Sequence, residues 1–433
     1  MPTKLTVLFA PAYGLSRLNA SIALAEELIA RGHRAVFAID QAYRGQVVKR
    51  GIQELLHSLP EQVDRDAKDA DDWHQYVANN AGALKGDSLE IAGGYCVQQF
   101  DRQLAECRAL DEHYRSVVDI IRPDVIVVNS YVCAPALVGS GIPWVNLISC
   151  TPLLALNDQT LPPPFSGLPF KASIDDWHRY RHQFDDKFAG IQQTINEWYS
   201  AAGVGAQLAD RQLVLQSPHL NIYVYPKVLD YYSGNTLLAN NWLRVDSLVA
   251  STTGSQPFEL PEKFRGKVGK LVLINMGRVG SGDLALMNKL VAHLTNSEHR
   301  FIVVTGSLTD KLVLPDNMWG QSYVSHVSVL PKVDLLITNG NNQSVSEAIS
   351  YSKPVIVLPL FGEHFESGQR VKELALGLTL CPYTCSMTSL VASVDALVDD
   401  KYLHKRLSLI GKYMENSGEN QKAVNLLESI CNK

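Results

Sequence analysis

The sequence predicts an α/β protein made of two doubly wound parallel sheets that face a cleft. Short apolar runs of strand length alternate with helical patterns in two separate series, as expected for parallel sheets covered by helices on both faces. A composition break separates the series. Residues 334–378, DLLITNGNNQSVSEAISYSKPVIVLPLFGEHFESGQRVKELALGL, add a site: buried strand, small polar turn, helix, second strand and polar loop. That order presents a helix N-terminus to an anionic ligand at the carboxyl ends of the strands.

The first series runs LTVLFA (residues 5–10), a helical pattern from about residue 19 to 30, RAVFAI ending at Asp40, DVIVVN (124–129) and WVNLIS (144–149). Between residues 60 and 115, and again over 153–215, the pattern is helical and aromatic-rich, with Tyr95, Phe100, Phe165, Trp177, Tyr180 and Trp198. Such insertions shape pockets for apolar ligands. The break falls at STTGSQPFELPEKF, residues 251–264, where small polar residues and two prolines interrupt the alternation. A second series follows: KLVLINMG (270–277), FIVVTG (301–306), VDLLIT (333–338) and PVIVLP (354–359). The C-terminal residues are helical, and GENQKAVNLLESIC carries an apolar face at helical spacing. The expected organisation is a first Rossmann-like domain (1–250), a linker (251–264), a second Rossmann-like domain (265–410) and a final helix (411–433) that packs back on the first domain.

A length of 433 residues exceeds one compact core. With a net charge of −5 and no long basic run, the chain does not suit nucleic acid or an anionic membrane, and a small molecule is the favoured partner. The opening MPTKLTVLFAPAYG passes from one lysine into a strand too short for a secretory core, so no signal peptide is expected. Residues 125–157 are uncharged and long enough to span a membrane, but Asn129, Ser130, Gly139, Gly141, Pro143 and Asn146 interrupt them. Strand, helix, strand in a buried unit is the better reading. Seven cysteines, Cys96, Cys107, Cys133, Cys150, Cys381, Cys385 and Cys431, are scattered without metal-ligand spacing. This usage fits a reducing, cytoplasmic setting, and a monomer is expected.

Within residues 337–377 the chain carries Asn339, Gly340, Asn341, Asn342, Gln343, Ser344, Glu347, Ala348, Pro354, Pro359, Glu363 and His364. These resemble the nucleotide-sugar signature of the inverting UDP-glycosyltransferases, H-G-G-x-N-S-x-x-E-A-x-x-x-G-x-P, then a strand, a P-x-x-x-D/E-Q/H loop and a helix. Upstream, YVSHVSVLP (323–331) resembles the family's W-V-P-Q-x-x-x-L-P, with His326 at the glutamine. YVYPKVLDYY and NWLRVDSLV resemble the end of the N-terminal domain in soluble bacterial-type and mite members. The resemblance implies two Rossmann-like domains of the GT-B type, a UDP-sugar donor, a small lipophilic acceptor and no metal requirement. It also implies that Glu347 accepts from the ribose hydroxyls, Tyr323 stacks on uracil, backbone at Val324 reads the base edge, and Glu363 with His364 holds the sugar hydroxyls.

A diphosphate brings about two negative charges, which suit the helix N-terminus after NGNNQS. Backbone at Gly340 and the side chains of Asn339, Gln343 and Ser344 can donate to it. The plainer alternative makes Ser344-Val-Ser-Glu347 a capping box. Where the family has a histidine, a second glycine, an asparagine and a tryptophan, this chain has Asn339, Asn341, Gln343 and Tyr323. Relatives carry Gly-Ser where Gly277 and Arg278 stand. Arg278 can offset the missing histidine by bidentate contact with the diphosphate, against the alternative of a solvated loop arginine.

The larger departure is catalytic. Relatives use a histidine in the first βα loop as base, oriented by an aspartate after a later strand. Aligning FAPAYGLSRLNASI by Gly14 and Asn19 places Arg17 at the histidine and Ser16 before it, and DVIVVNSY places Asn129 at the aspartate. Arginine accepts no proton at neutral pH. Three explanations remain: an acidic phenol or thiol arriving partly ionised, with Arg17 stabilising the anion; a relay through Ser16 and water; and binding without turnover, which ranks below the first because Gly340, Ser344, Glu347 and the Glu363–His364 pair are kept. His33, in the ARGHR turn, reads as structural. Asp69-Ala-Asp71 matches a metal-binding D-x-D but lies in the acidic run DRDAKDADD, and Asp40 lacks the glycine-rich loop of a dehydrogenase.

The expected activity is transfer of a hexose, glucose by preference, from a UDP-sugar to a hydroxyl of a flavonoid, phenol or other xenobiotic, with Tyr13, Arg17 and Asn129 on the acceptor side. The alternatives are a non-catalytic UDP-sugar or small-molecule binder and a UDP-sugar epimerase or hydrolase of the same architecture.

Overall fold

The computed structural model describes residues 4–60, 63, 73–156, 158–232, 240–253 and 257–431. Strands β1 (Thr6–Pro11), β2 (Arg34–Asp40), β3 (Gln53–His57), β4 (Val125–Asn129), β5 (Trp144–Ile148), β6 (Leu220–Val224) and β7 (Trp242–Val245) form one sheet. Its order is β3-β2-β1-β4-β5-β6-β7, and every pairing is parallel. Strands β8 (Leu271–Asn275), β9 (Arg300–Val304), β10 (Met318–Gln321), β11 (Leu335–Thr338), β12 (Val355–Val357) and β13 (Gly377–Thr379) form the other. It is also parallel, ordered β10-β9-β8-β11-β12-β13. Helices on both faces bury the central strands almost completely, which is why those strands read as near-continuous apolar runs.

Each sheet reverses its strand order at one place, between β1 and β4 and between β8 and β11. Connections leave a reversal point in opposite directions and open a crevice at the carboxyl ends of the strands. The register sets Asn129 opposite Pro11 and Thr338 opposite Asn275, so the loops beyond these residues face the cleft together.

Strands β3, β6, β7, β10 and β13 lie outside the runs read as strands from sequence. Four of them are sheet edges, where QELLH, WLRV, MWGQ and GLT are short or polar. Edge strands bury one flank less and are kept unattractive to further pairing, so they lack the apolar signal. The first helix spans Leu15–Ala30 and starts earlier than its periodicity suggests, because Gly14 lets the chain turn into it at φ 146°. Asp69 and Asp71 lie outside the described residues. His33 is buried, accepting from the Leu5 amide at Nδ1 (3.2 Å) and meeting Glu428 at Nε2 (2.9 Å).

Helix Glu419–Cys431 lies against helix Leu15–Ala30 and strands β6 and β7. Its Ala423, Val424 and Leu427 are fully buried in the core of the first sheet. Leu427→Ala is expected to destabilise the protein by about 2–5 kcal/mol, the cost of lost transfer energy plus a residual cavity, measured by urea unfolding. A change within error would show that this helix contributes little to the first domain.

Candidate active site

On the donor side, two glycines bring the loops after β8 and β11 into contact. Gly277 has φ 65°, and a Cβ there would lie 2.7 Å from Nδ2 of Asn339; Gly340 has φ 93°, and a Cβ there would lie 2.5 Å from Cγ1 of Val357. The following helix, Asn342–Ser350, is capped by Asn341, whose side chain accepts from the Ser344 amide at 2.8 Å. Ser344 is therefore inside the helix, and the capping-box alternative is overturned: the asparagine three residues earlier is the cap. Asn339 is buried, and its Oδ1 accepts from the Asn341 amide at 3.3 Å.

Glu347, one turn into that helix, is oriented from two sides. His326 Nδ1 meets its Oε2 at 2.7 Å, and Gln343 Nε2 donates to its Oε1 at 2.8 Å. Asn275 accepts from the Gly277 amide through Oδ1 (3.0 Å), so its Nδ2 is the group that faces His326 Nε2 at 2.5 Å. Nε2 must then accept, which leaves Nδ1 to carry the proton donated to Glu347. Tyr323 stands at the rim with 56% of its surface exposed, an open aromatic platform, while Val324 is buried beneath it.

The N-terminus of the same helix is already engaged by a carboxylate. Glu363 accepts from the Asn342 amide at Oε1 (3.0 Å) and from the Thr151 amide of the first domain at Oε2 (2.8 Å). Burial raises its pKa, while those two amides and the charge of Arg17 oppose the shift. Asn342 also crosses the cleft: its Nδ2 lies 2.7 Å from the Val224 carbonyl, 3.1 Å from that of Ser149 and 3.4 Å from that of Cys150. His364 parts from its neighbour. Its ring is buried against Phe361, centroids 4.3 Å apart, and burial lowers its pKa to about 3.

On the acceptor side, Arg17 lies in the first helical turn beside Ser16. Its guanidinium covers the Tyr131 ring at 4.6 Å and donates to the Tyr13 carbonyl at 3.3 Å. Asn129 donates to the Arg17 carbonyl (3.1 Å) and accepts from Ser149 Oγ (3.0 Å), so it fixes the first turn of the helix. Arg278 reaches across the cleft into an aromatic box. It donates to the Tyr43 hydroxyl at 3.2 Å and lies 5.2 Å from the Tyr13 ring and 5.7 Å from the Trp73 ring. Burial pushes the Tyr43 hydroxyl up to about 12. Among the described residues, no group of three or more His, Cys, Asp or Glu side chains could hold a metal ion. No described helix is long and apolar enough to cross a membrane.

The UDP-glucoronosyl and UDP-glucosyl transferase family model matches residues 323–413. The chain is 22% identical over 426 residues to the demethyllactenocin mycarosyltransferase of Streptomyces fradiae, covering 97% of this chain and 85% of that one. It is 22% identical over 421 residues to the oleandomycin glycosyltransferase of Streptomyces antibioticus, covering 95% and 87%. Among solved structures it resembles the kitacinnamycin glycosyltransferase, with TM-score 0.72 and 18% identity over 99% of this chain and 100% of the other. It also resembles the calicheamicin glycosyltransferase, with TM-score 0.68 and 17% identity over 99% of each chain. Two parallel-sheet domains facing each other across a cleft are the GT-B fold of these solved structures. Over nearly its whole length the chain is thus similar to glycosyltransferases, and its match to the UDP-glucoronosyl and UDP-glucosyl transferase model lies in the second domain.

Glu366 escaped the sequence reading, although its spacing of three from Glu363 puts both carboxylates on one helical face. It is buried, accepts from the Phe165 amide of the first domain, and lies beside the Thr151 side chain. Burial raises its pKa from 4.5 to about 8. Ionising this group therefore opposes folding: its contribution is full below pH 4.5 and is lost as pH rises through about 8. Glu366→Gln keeps an acceptor for Phe165 and is expected to flatten the fall in melting temperature between those limits. An unchanged pH profile in thermal denaturation would refute the assignment.

Proposed function

We propose that the protein is an inverting glycosyltransferase that moves a hexose, glucose by preference, from a UDP-sugar to a hydroxyl of a small lipophilic acceptor such as a flavonoid, phenol or xenobiotic, without a metal. The observation that carries the donor half is the oriented Glu347 carboxylate beside the exposed Tyr323. Together they offer two acceptor oxygens for a ribose diol and a face for a base. The neighbouring helix N-terminus suits the diphosphate, and donor binding there exchanges the Glu363 carboxylate for phosphate oxygens on the Asn342 amide. Released Glu363 becomes available to the sugar hydroxyls.

Arg17 and Asn129 favour an acceptor that supplies its own anion. Asn129 carries no charge, and Arg17, bonded to Tyr13, is a donor only. The guanidinium stabilises a phenolate next to the anomeric carbon, and alignment of the two substrates between the domains supplies much of the rate. Incubation with UDP-glucose and a panel of flavonols, phenols and alkanols, read by mass spectrometry, tests the activity. Products are expected from phenols, with kcat/KM rising in step with acceptor ionisation across pH. Equal rates on phenols and alkanols would eliminate the substrate-anion mechanism. Tight UDP binding with no product from any acceptor or UDP-sugar would instead favour a binding protein, motivated by the same Arg17 and Asn129, and loss of UDP-sugar without acceptor would favour an epimerase or hydrolase.

Arg278 reaches a diphosphate only by leaving Tyr43 and the aromatic box. If it does so, Arg278→Ala weakens UDP binding roughly tenfold, the size of one charge-assisted hydrogen bond. Calorimetry that returns an unchanged Kd would remove the phosphate contact and leave the arginine to the acceptor side.

A further inference from the structure

The turn that follows β13, at the edge of the second sheet, brings two cysteines together. Cys381 and Cys385 flank Pro382, Tyr383 and Thr384, and the Cys385 amide donates to the Cys381 carbonyl at 3.0 Å. A turn closed in this way, from residue i+4 to residue i, sets the Cα atoms of its ends roughly 6 Å apart, within the span of bridged cysteines. The turn is also anchored. Lys289, on helix Leu284–Leu294, donates through Nζ to the Tyr383 carbonyl at 2.6 Å and to that of Pro382 at 3.4 Å. The Tyr383 hydroxyl donates to Oδ2 of Asp283, the cap of the same helix, at 3.1 Å. Both contacts fix the middle of the turn, so the two thiols at its ends are held as neighbours.

The pair is unequal in access and in charge. Cys381 is exposed, whereas Cys385 is buried with its Sγ 3.8 Å from the Pro382 carbonyl. Burial acts to raise the Cys381 thiol, but the Thr384 hydroxyl, the amides of Thr384 and Tyr383 and the charge of Lys289 together outweigh it, so its pKa falls below the ordinary value. In the other six cysteines burial prevails and the pKa rises. The thiolate is the nucleophile, and an accessible one beside a second thiol is how oxidant-sensing cysteines are arranged. We propose that Cys381 and Cys385 form a reversible redox pair that reacts with a hydroperoxide, Cys381 attacking and Cys385 closing the disulfide. The Cys381 thiolate takes the terminal oxygen, breaking the O–O bond and leaving a sulfenic acid, while the other oxygen departs as water or an alcohol with a proton from solvent. Cys385 then attacks the Cys381 sulfur, and its proton leaves with the sulfenic oxygen as water. Two thiols give up two electrons, and hydrogen peroxide becomes two waters. A small thiol reverses the bridge by exchange. The pair uses none of the residues assigned to donor or acceptor and does not rest on the transferase reading.

The test treats the full, reduced chain with an equimolar amount of hydrogen peroxide and reads its tryptic peptides by mass spectrometry. Residues 373–401 form one such peptide and hold both cysteines. That peptide is expected to lose two hydrogens on oxidation and to regain them with dithiothreitol, while the other thiols stay open to alkylation after unfolding. Brief labelling of the folded, reduced chain with iodoacetamide near neutral pH should modify Cys381 about tenfold faster than the partly exposed Cys431. In Cys385→Ser the sulfenic acid should accumulate at Cys381, where dimedone traps it, and in Cys381→Ser oxidation at residue 385 should be lost. Equal labelling of Cys381 and Cys431 in the wild type overturns the choice of nucleophile without need of a variant. Peroxide that drives wild-type Cys381 to sulfinic acid, or links it to a second chain, without forming the internal bridge overturns the pair.

Discussion

The arrangement of this molecule depends on one carboxylate placed between two backbone amides. Glu363 accepts from Asn342 at the start of the donor-side helix and from Thr151 at the end of the acceptor-side sheet, so one side chain satisfies orphan N–H groups of both domains. Asn342 adds the reciprocal bond, donating from the donor side to carbonyls of the first domain. These contacts hold the two reversal points face to face. They also occupy the N-terminal amide that an incoming diphosphate needs. On the proposed donor reading, closure of the cleft and binding of the diphosphate compete for the same N–H group.

The same economy explains the chemistry near Arg17. An aspartate at residue 129 would orient a base, whereas an asparagine donates, and Asn129 spends its donor on the Arg17 carbonyl. The result is a rigid first helical turn that presents a cation. Its positive charge is felt by Glu363 across the cleft and by Glu106 in the first domain, so Arg17 couples the two sides electrostatically. Such a site is suited to holding negative charge on an oxygen and unsuited to removing a proton from a neutral one.

Much of this was legible in the sequence. The central strands were, because strands buried on both faces leave unbroken apolar runs; the edges were not, since GLT or MWGQ carries no such signal. The donor helix and its glycines were legible from the spacing of Gly340, Asn341 and Glu347. The use of its first amide was not, because nothing local tells whether Glu363 faces a sugar or the neighbouring helix. Arg278 was placed in the donor loop by its neighbour Gly277, but its partner Tyr43 is 235 positions away, and only the fold brings the aromatic box together. The inter-domain bonds of Asn342, a residue the signature does include, and Glu366 altogether escaped for the same reason: their partners are backbone groups of the other domain, which a linear pattern cannot display.

Charge balance across the cleft sets what can enter it. The cleft carries Arg17, Arg278, Glu363, Glu366 and Glu347, with Arg278 held in its aromatic box, and burial favours the uncharged form of Glu366. A diphosphate brought in against three ionised carboxylates would meet repulsion that two arginines only partly offset. Keeping Glu366 protonated near neutral pH removes one of those charges without removing the hydrogen bond to Phe165. Moving Glu363 from the helix terminus to a sugar hydroxyl takes a second away from the phosphate, and Glu347 is shielded by His326 and Gln343. On the proposed donor reading, the cleft admits an anion at one end of the sugar while retaining acceptors for its hydroxyls at the other. The field that results favours leaving-group charge on the donor side and oxygen charge at Arg17 on the acceptor side, with the anomeric carbon between them.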